Sequence, residues 1–182
     1  MADEELPDLT TSASFTVGTN ATITTSTPES QLLVAIIMLQ NYEANSANNP
    51  NNRDYVQGSF NINTKKFAST IAMPCTQSIT SNGEATYTAQ NYLTNVTFSA
   101  GNPKGTLKST NLPAYLIEAL TYCRQLEKNS AVNRSNKENI VYTYDGSTSI
   151  LTAQVTLDCS MSHNSSGSVL FTTIPYLTLN TN

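Results

Sequence analysis

Apolar residues recur at helical spacing in two segments, which we predict to be helices over residues 28–45 and 112–129. Apolar side chains at i, i+3, i+4 and i+7 form one face of a helix, and that face packs against a core. Thr27 and Asn111 are the candidate N-cap residues, each followed by a proline near the first helical position. The two stripes are Leu32, Leu33, Ala35, Ile36 and Leu39, and Leu116, Ile117, Ala119, Leu120 and Cys123.

Alternation of apolar and polar residues after each helix predicts three strands. The first set is Tyr55–Asn63, Phe67–Cys75 and Ala85–Ala89, and the second is Asn139–Tyr144, Leu151–Cys159 and Val169–Thr173. A strand or hairpin is expected before each helix: Ser14–Val17 with Ala21–Thr25, and Thr94–Ser99 with Thr106–Lys108. The expected turns are Asp145-Gly146 with Asn61 in the equivalent place, Asn82-Gly83, Ser166-Gly167, and Gly101 to Gly105.

The chain carries an internal repeat. When the sequence is shifted by 84 residues, residues 23–97 align with 107–181 without a gap, and 18 of the 75 pairs are identical. Chance would give about six. We therefore expect an α+β protein made of a duplicated β(β)-α-β-β-β unit, with antiparallel sheets each packed by one helix and related by a pseudo-twofold axis. An acidic arm over 1–13 would precede units over 14–97 and 98–182, which could form one continuous domain.

The two predicted helices differ on their outer faces. Val34 and Ile37 in the first correspond to Glu118 and Thr121 in the second. The second helix therefore has a surface pattern, whereas the first is apolar almost all round. Val34 and Ile37, together with Met38, are our candidate protein-contact surface, and burial within the chain is the alternative.

Charge and hydropathy exclude several classes of partner. The net charge is −4, and the nine Lys and Arg residues are scattered, so we expect no nucleic-acid binding. The acidic start of the chain has no apolar segment of the kind found in signal peptides. The longest apolar run, Leu32–Leu39, is too short to cross a bilayer, so we expect no membrane segment.

Candidate catalytic chemistry is sparse. His163 is the one histidine, and we expect it in a solvated turn. Cys75 and Cys159 are repeat-equivalent; as a disulfide they would have to meet near the pseudo-twofold axis, whereas reduced thiols are the default without secretion. The three cysteines lack metal-ligand spacing. We therefore expect no catalytic, metal or cofactor-binding residue and no enzymatic activity.

Three charged positions are kept in both units: Glu43 and Glu127, Arg53 and Lys137, Asp54 and Glu138. A glutamate at the end of each helix could pair with the basic residue ten positions later. Such pairs would fix the connection from helix to strand. Acid–base work by a carboxylate pair is the alternative. Tyr92 and Tyr176 also keep their place, and we expect each hydroxyl to reach a backbone group from the core.

In its low charge, its abundance of Ser, Thr and Asn, its short β elements and its polar arm, the chain resembles virion structural proteins of tailed bacteriophages. The resemblance implies a capsid decoration (cement) protein that stabilises a capsid lattice. Its partners would be the major capsid protein or another virion protein, with a homo-oligomer also allowed. Its location would be the virion, assembled in the host cytoplasm.

Three other functions stay open. The chain could be a phage tail, neck or baseplate component. It could instead be a small ligand-binding protein or enzyme with a site between its two halves. Duplicated units of this type also resemble sliding clamps, but clamps line their hole with basic helices. Here the first helix has no Lys or Arg, and the second has only Arg124 and Lys128.

Overall fold

The chain has an α+β fold with two helices and nine strands in the described residues of the computed structural model. The helices are α1 (Pro28–Ala44) and α2 (Leu112–Lys128). The strands are β1 (Ser12–Ser14), β2 (Asn20–Ile23), β3 (Val56–Asn61), β4 (Lys66–Ile79), β5 (Ala85–Ala89), β6 (Thr97–Ala100), β7 (Ile140–Asp145), β8 (Ile150–His163) and β9 (Val169–Thr173). The structure describes residues 12–14, 20–23, 27–83, 85–94, 97–100, 111–163 and 169–177.

Both helices begin at the predicted N-caps. The Thr27 side chain accepts a hydrogen bond from the backbone N–H of Ser30, which satisfies one of the free donors at the start of α1. Asn111 takes the same place before α2, with an extended backbone. The helices predicted over 28–45 and 112–129 are therefore confirmed to within one residue.

One sheet of seven strands contains strands from both halves of the sequence, rather than one sheet for each half. At its centre, β4 and β8 pair antiparallel over nine residue pairs. This ladder runs from Lys66 opposite Asp158 and has Thr70 opposite Gln154 as its middle pair. The two longest strands thus join the halves directly.

The remaining strands extend the sheet from the outer edges of this pair. β3 and then β5 pair with the same edge of β4. The Ala72 N–H donates to the Tyr55 carbonyl just before β3, and the Pro74 carbonyl accepts the Gln90 N–H just after β5. These two groups of β4 point to the same side of the strand. Along β8, β7 and β9 are arranged in the same way. β1 then pairs antiparallel with β9, and β2 pairs parallel with β6 in a separate two-stranded sheet. A strand therefore precedes each helix, β2 before α1 and β6 before α2, as one of the two predicted alternatives. The described strands of the first expected hairpin pair with other strands, and residues 106–108 of the second lie outside the described residues.

The helices cover one face of the sheet and contact each other. α1 packs against α2, β3 and β9 and is further covered by β1 and β2, whereas α2 packs against β5 and β7. This extra cover explains why α1 is apolar on nearly all sides. Val34, Ile37 and Met38 are buried, with exposed fractions of only 3%, 5% and 3%. The structure thus places our candidate contact surface inside the chain, the alternative that the sequence left open.

The loops between paired strands differ in part from the predicted turns. Four residues, not two, connect β3 to β4 and β7 to β8, and the positive φ falls on Lys65 and Ser149 rather than on Gly146. Gly83 has the expected positive φ, 86°. The acidic arm before residue 12, the turn over 101–105 and the turn at 166–167 lie outside the described residues.

Candidate functional site

The face of the sheet opposite the helices carries side chains of four adjacent strands from both halves. Along β3, β4, β7 and β8, alternate side chains are buried against the helices, so the others point outward. We call these outward residues the outer face. Its members are Gln57, Ser59, Asn61, Lys66, Ala68, Thr70, Ala72, Pro74, Val141, Thr143, Asp145, Ile150, Thr152, Gln154, Thr156 and Asp158.

A shallow groove of about 510 Å³ crosses this outer face. Its lining comes from three adjacent strands of both halves: Gln57, Gly58, Ser59, Ala68, Ser69, Thr70, Gln154, Val155 and Thr156. None of these nine residues is charged or aromatic. The groove therefore offers amide, hydroxyl and peptide groups for hydrogen bonding, but no group that titrates near neutral pH.

Three charged side chains meet at one end of the β4–β8 ladder. Asp158 accepts hydrogen bonds from the ammonium groups of Lys66 at 2.5 Å and Lys137 at 2.7 Å. These two hydrogen bonds hold the pKa of the Asp158 carboxyl below its usual value. At the opposite end of the ladder, Pro74 pairs with Ile150. Asp145 of β7, opposite Ile150, adds a carboxylate at this end, so both ends of the outer face carry charge and its middle does not.

The repeated glutamates lie under the sheet, where they hold each helix to the strand that follows it. In the first half, the Glu43 carboxylate accepts backbone N–H groups of Tyr55 at 3.1 Å and Val56 at 3.0 Å, and also the Tyr92 hydroxyl. Burial raises the pKa of Glu43, and these hydrogen bonds oppose the rise. Instead of pairing with Arg53, the carboxylate caps the start of β3.

The second half repeats this arrangement. Glu127 accepts the backbone N–H groups of Asn139 at 3.0 Å and Ile140 at 3.2 Å, together with the Tyr176 hydroxyl. Burial again raises the pKa of the carboxyl. Lys137, which could have paired with Glu127, binds Asp158 instead. Each tyrosine hydroxyl thus donates to a carboxylate, not to the backbone group that the sequence suggested.

A third buried carboxylate, Glu29, has no counterpart in the second half, where Pro113 takes its place. It is fully buried at the start of α1, and its Oε2 accepts the backbone N–H groups of Tyr176 and Leu177, each at 2.8 Å. Its Oε1 has no hydrogen-bond partner among the described residues. Burial raises the pKa of Glu29. The helix pattern gave no signal for this residue, since an acidic residue in the first turn is ordinary.

The cysteines are buried and reduced. Cys75 and Cys159 lie at opposite ends of the β4–β8 ladder, about 30 Å apart at ~3.3 Å per residue, so they do not meet in a disulfide. Burial raises the pKa of the Cys75 thiol to about 11 and that of Cys159 to about 12. Cys123 is also buried, and its thiol donates to the Pro28 carbonyl.

The other candidate chemistry is not gathered into a cluster. The backbone of His163 ends β8 opposite Val169, so this residue lies in a strand and not in the predicted turn; residues 164–168 lie outside the described part of the chain. Within the part that is described, no three His, Cys, Asp or Glu side chains come together as metal ligands. No helix there has the length and apolar character needed to cross a membrane.

Comparison of the chain with protein-family models, with curated proteins and with solved structures finds no match.

Proposed function

We propose that the chain is a pseudo-twofold duplication whose halves exchange helix–sheet contacts. A twofold axis through the centre of an antiparallel ladder exchanges the two residues of its middle pair. If that axis relates residue i to residue i+84, the two residues of the middle pair must be 84 positions apart. Thr70 and Gln154 meet this condition. α1 packs on β9 of the other half and α2 on β5, so these contacts are also exchanged. The paired glutamates, Glu43 and Glu127, make the same three kinds of hydrogen bond.

We further propose that this protein is a non-enzymatic structural protein that binds other protein subunits, in the manner of a capsid decoration (cement) protein. The observation that carries the proposal is the outer face: a broad β surface whose middle carries hydroxyl and amide side chains and no charge. The two carboxylates at equivalent places in the halves, Glu43 and Glu127, are occupied in structural hydrogen bonds beneath it. Small hydroxyl and amide side chains allow close approach of a partner surface without leaving buried charge.

The test is co-sedimentation of the purified protein with assembled phage capsids that lack it. Saturable binding at a fixed ratio of protein to capsid subunits is expected. Thr70→Glu and, separately, Gln154→Glu place a charge at the middle of the outer face and should abolish that binding. Gln125→Glu is the matched control, because it adds the same charge on the exposed side of α2. Absence of saturable binding, or full binding by both outer-face variants, would refute the proposal.

Binding of a small molecule is the second candidate, and the groove favours it. The groove combines residues of both halves, and about 300–1,000 Å³ is usual for ligand sites. Its lining suits a neutral ligand rich in hydrogen-bonding groups. A fragment screen monitored by backbone NMR tests this candidate. Shifts confined to Gly58, Thr70 and Gln154 would favour it over subunit binding.

A further inference from the structure

Strand β5 has a hydrogen-bonding edge that no described strand occupies. Among the described strands it pairs only with β4. The backbone N–H of Gln90 donates to the Pro74 carbonyl, and β4 and β5 remain in that register along their length. Peptide groups alternate in direction along a strand. Those of Ala85, Tyr87 and Ala89 therefore point away from β4.

The equivalent edge in the other half is covered. β9 lies 84 positions after β5, and its Phe171 corresponds to Tyr87. There β1 adds as an antiparallel strand, with Ala13 opposite Phe171. This edge of the fold can therefore carry one more strand. The two halves differ here, because β1 covers the edge of β9 whereas no described strand covers the equivalent edge of β5.

The sequence of β5 is self-complementary. It reads Ala-Thr-Tyr-Thr-Ala, the same in both directions. If two copies of the strand pair antiparallel about Tyr87, each residue faces its own type: alanine opposite alanine and threonine opposite threonine. The outward groups of Ala85, Tyr87 and Ala89 then pair fully with those of the second copy. Thr86 and Thr88 are exposed on the solvent side, where facing threonines stabilise paired strands.

We propose that β5 is the contact strand of a symmetric homodimer, in which two copies of this chain join their sheets through antiparallel β5–β5 pairing. An isologous contact uses one open edge from each copy, so both are satisfied at once and the assembly closes. Proteins that keep an edge strand monomeric usually place a charge or a proline on it, and β5 has neither. By contrast, an exchange of β1 between two chains could not cover every edge, because each chain has one β1 but two edges of this kind, on β5 and on β9.

The proposal goes beyond the outer face and is tested separately from capsid binding. In the proposed register, residue 86 of one copy faces residue 88 of the other. Thr86→Lys with Thr88→Lys therefore brings lysines opposite each other and should weaken the dimer by about tenfold at low ionic strength. Thr86→Glu with Thr88→Lys changes the same positions but places opposite charges face to face. The dissociation constant of its dimer should lie within about threefold of that of the unmodified chain.

Analytical ultracentrifugation over a concentration series gives the dissociation constants, and thermal melts compare the folding of the two variants. Thr143→Lys, on the edge strand β7, is the control and should leave the dimer intact. In hydrogen exchange, the Tyr87 amide should gain protection as concentration rises. A chain that is monomeric at every concentration overturns the proposal. So does equal weakening by both double variants, or a dimer that is lost only when residues 1–14 are removed.

Discussion

Replacing Glu43 by alanine should destabilise the protein strongly, because one carboxylate satisfies three donors under the sheet. The Val56 N–H lies on a residue with no exposed surface, and Tyr92 is only 8% exposed. Neither donor can reach water once the carboxylate is gone. A buried donor left without a partner costs about 1–3 kcal/mol. The Tyr55 N–H is partly exposed and can be hydrated. The loss of stability therefore comes from the two buried donors, the Val56 N–H and the Tyr92 hydroxyl.

The expected decrease in the free energy of unfolding is therefore about 2–6 kcal/mol, a large share of the ~5–15 kcal/mol typical of a domain. Urea unfolding followed by circular dichroism measures it. Glu127→Ala should fall in the same range, because Glu127 makes the equivalent bonds. Glu43→Gln should lose less, since its amide oxygen can still accept one N–H.

Glu138→Ala is the matched control, because Glu138 is exposed and its removal should change the free energy of unfolding by no more than about 0.5 kcal/mol. If Glu43→Ala unfolds within that same margin of the unmodified chain, the assignment of the carboxylate as a structural anchor is wrong.

Three further predictions concern Glu29, Gly58 and the cysteines of the two longest strands. The folded chain binds the Glu29 proton more tightly than the unfolded chain, so this group stabilises the fold below pH 4.5 and loses that effect as pH rises through its folded pKa. Glu29→Gln should therefore be more stable than the unmodified chain at neutral pH, with a difference that vanishes in acid melts. Gly58→Ala would place a Cβ 2.9 Å from the Phe67 ring and should cost about 1–3 kcal/mol in urea unfolding. The thiols of Cys75 and Cys159 should react with a disulfide reagent at pH 8 only in urea, because burial raises their pKa and blocks access.

Each of these predictions has a clear contrary result. A pH-independent difference between Glu29→Gln and the unmodified chain would mean that Glu29 does not titrate with folding. Gly146→Ala is the control for Gly58, since no atom lies within 4 Å of its added Cβ, and equal losses would exclude the steric explanation. Rapid modification of the native thiols would show that the strand ends open readily.

The sequence predicted the local elements well because their signals are local. Helical spacing and the caps at Thr27 and Asn111 fixed both helices to within one residue. Strict alternation located the strands from Phe67 to Cys75 and from Leu151 to Cys159, although each continues further. The third strand of each set matched its predicted bounds.

What the sequence could not predict depends on long-range pairing. A repeat indicates two similar units, but not that their longest strands pair with each other. The parallel contact of β2 with β6 had no signal either, since short polar strands do not specify partners. The burial of Val34 and Ile37 was also left open, because it depends on which elements pack around α1. The roles of Tyr92 and Tyr176 were missed because they lie 49 residues from their glutamates.

The antiparallel pairing of β4 with β8 has a consequence for how the chain folds during synthesis. Thr70, at the middle of that ladder, cannot pair until Gln154 has been synthesised, so the ladder forms only after most of the chain has been made. Until then, β4 exposes a long edge, and contacts of such high sequence separation form slowly. We therefore expect folding to be limited by the meeting of the two halves, and a fragment ending near residue 97 to pair with itself through β4.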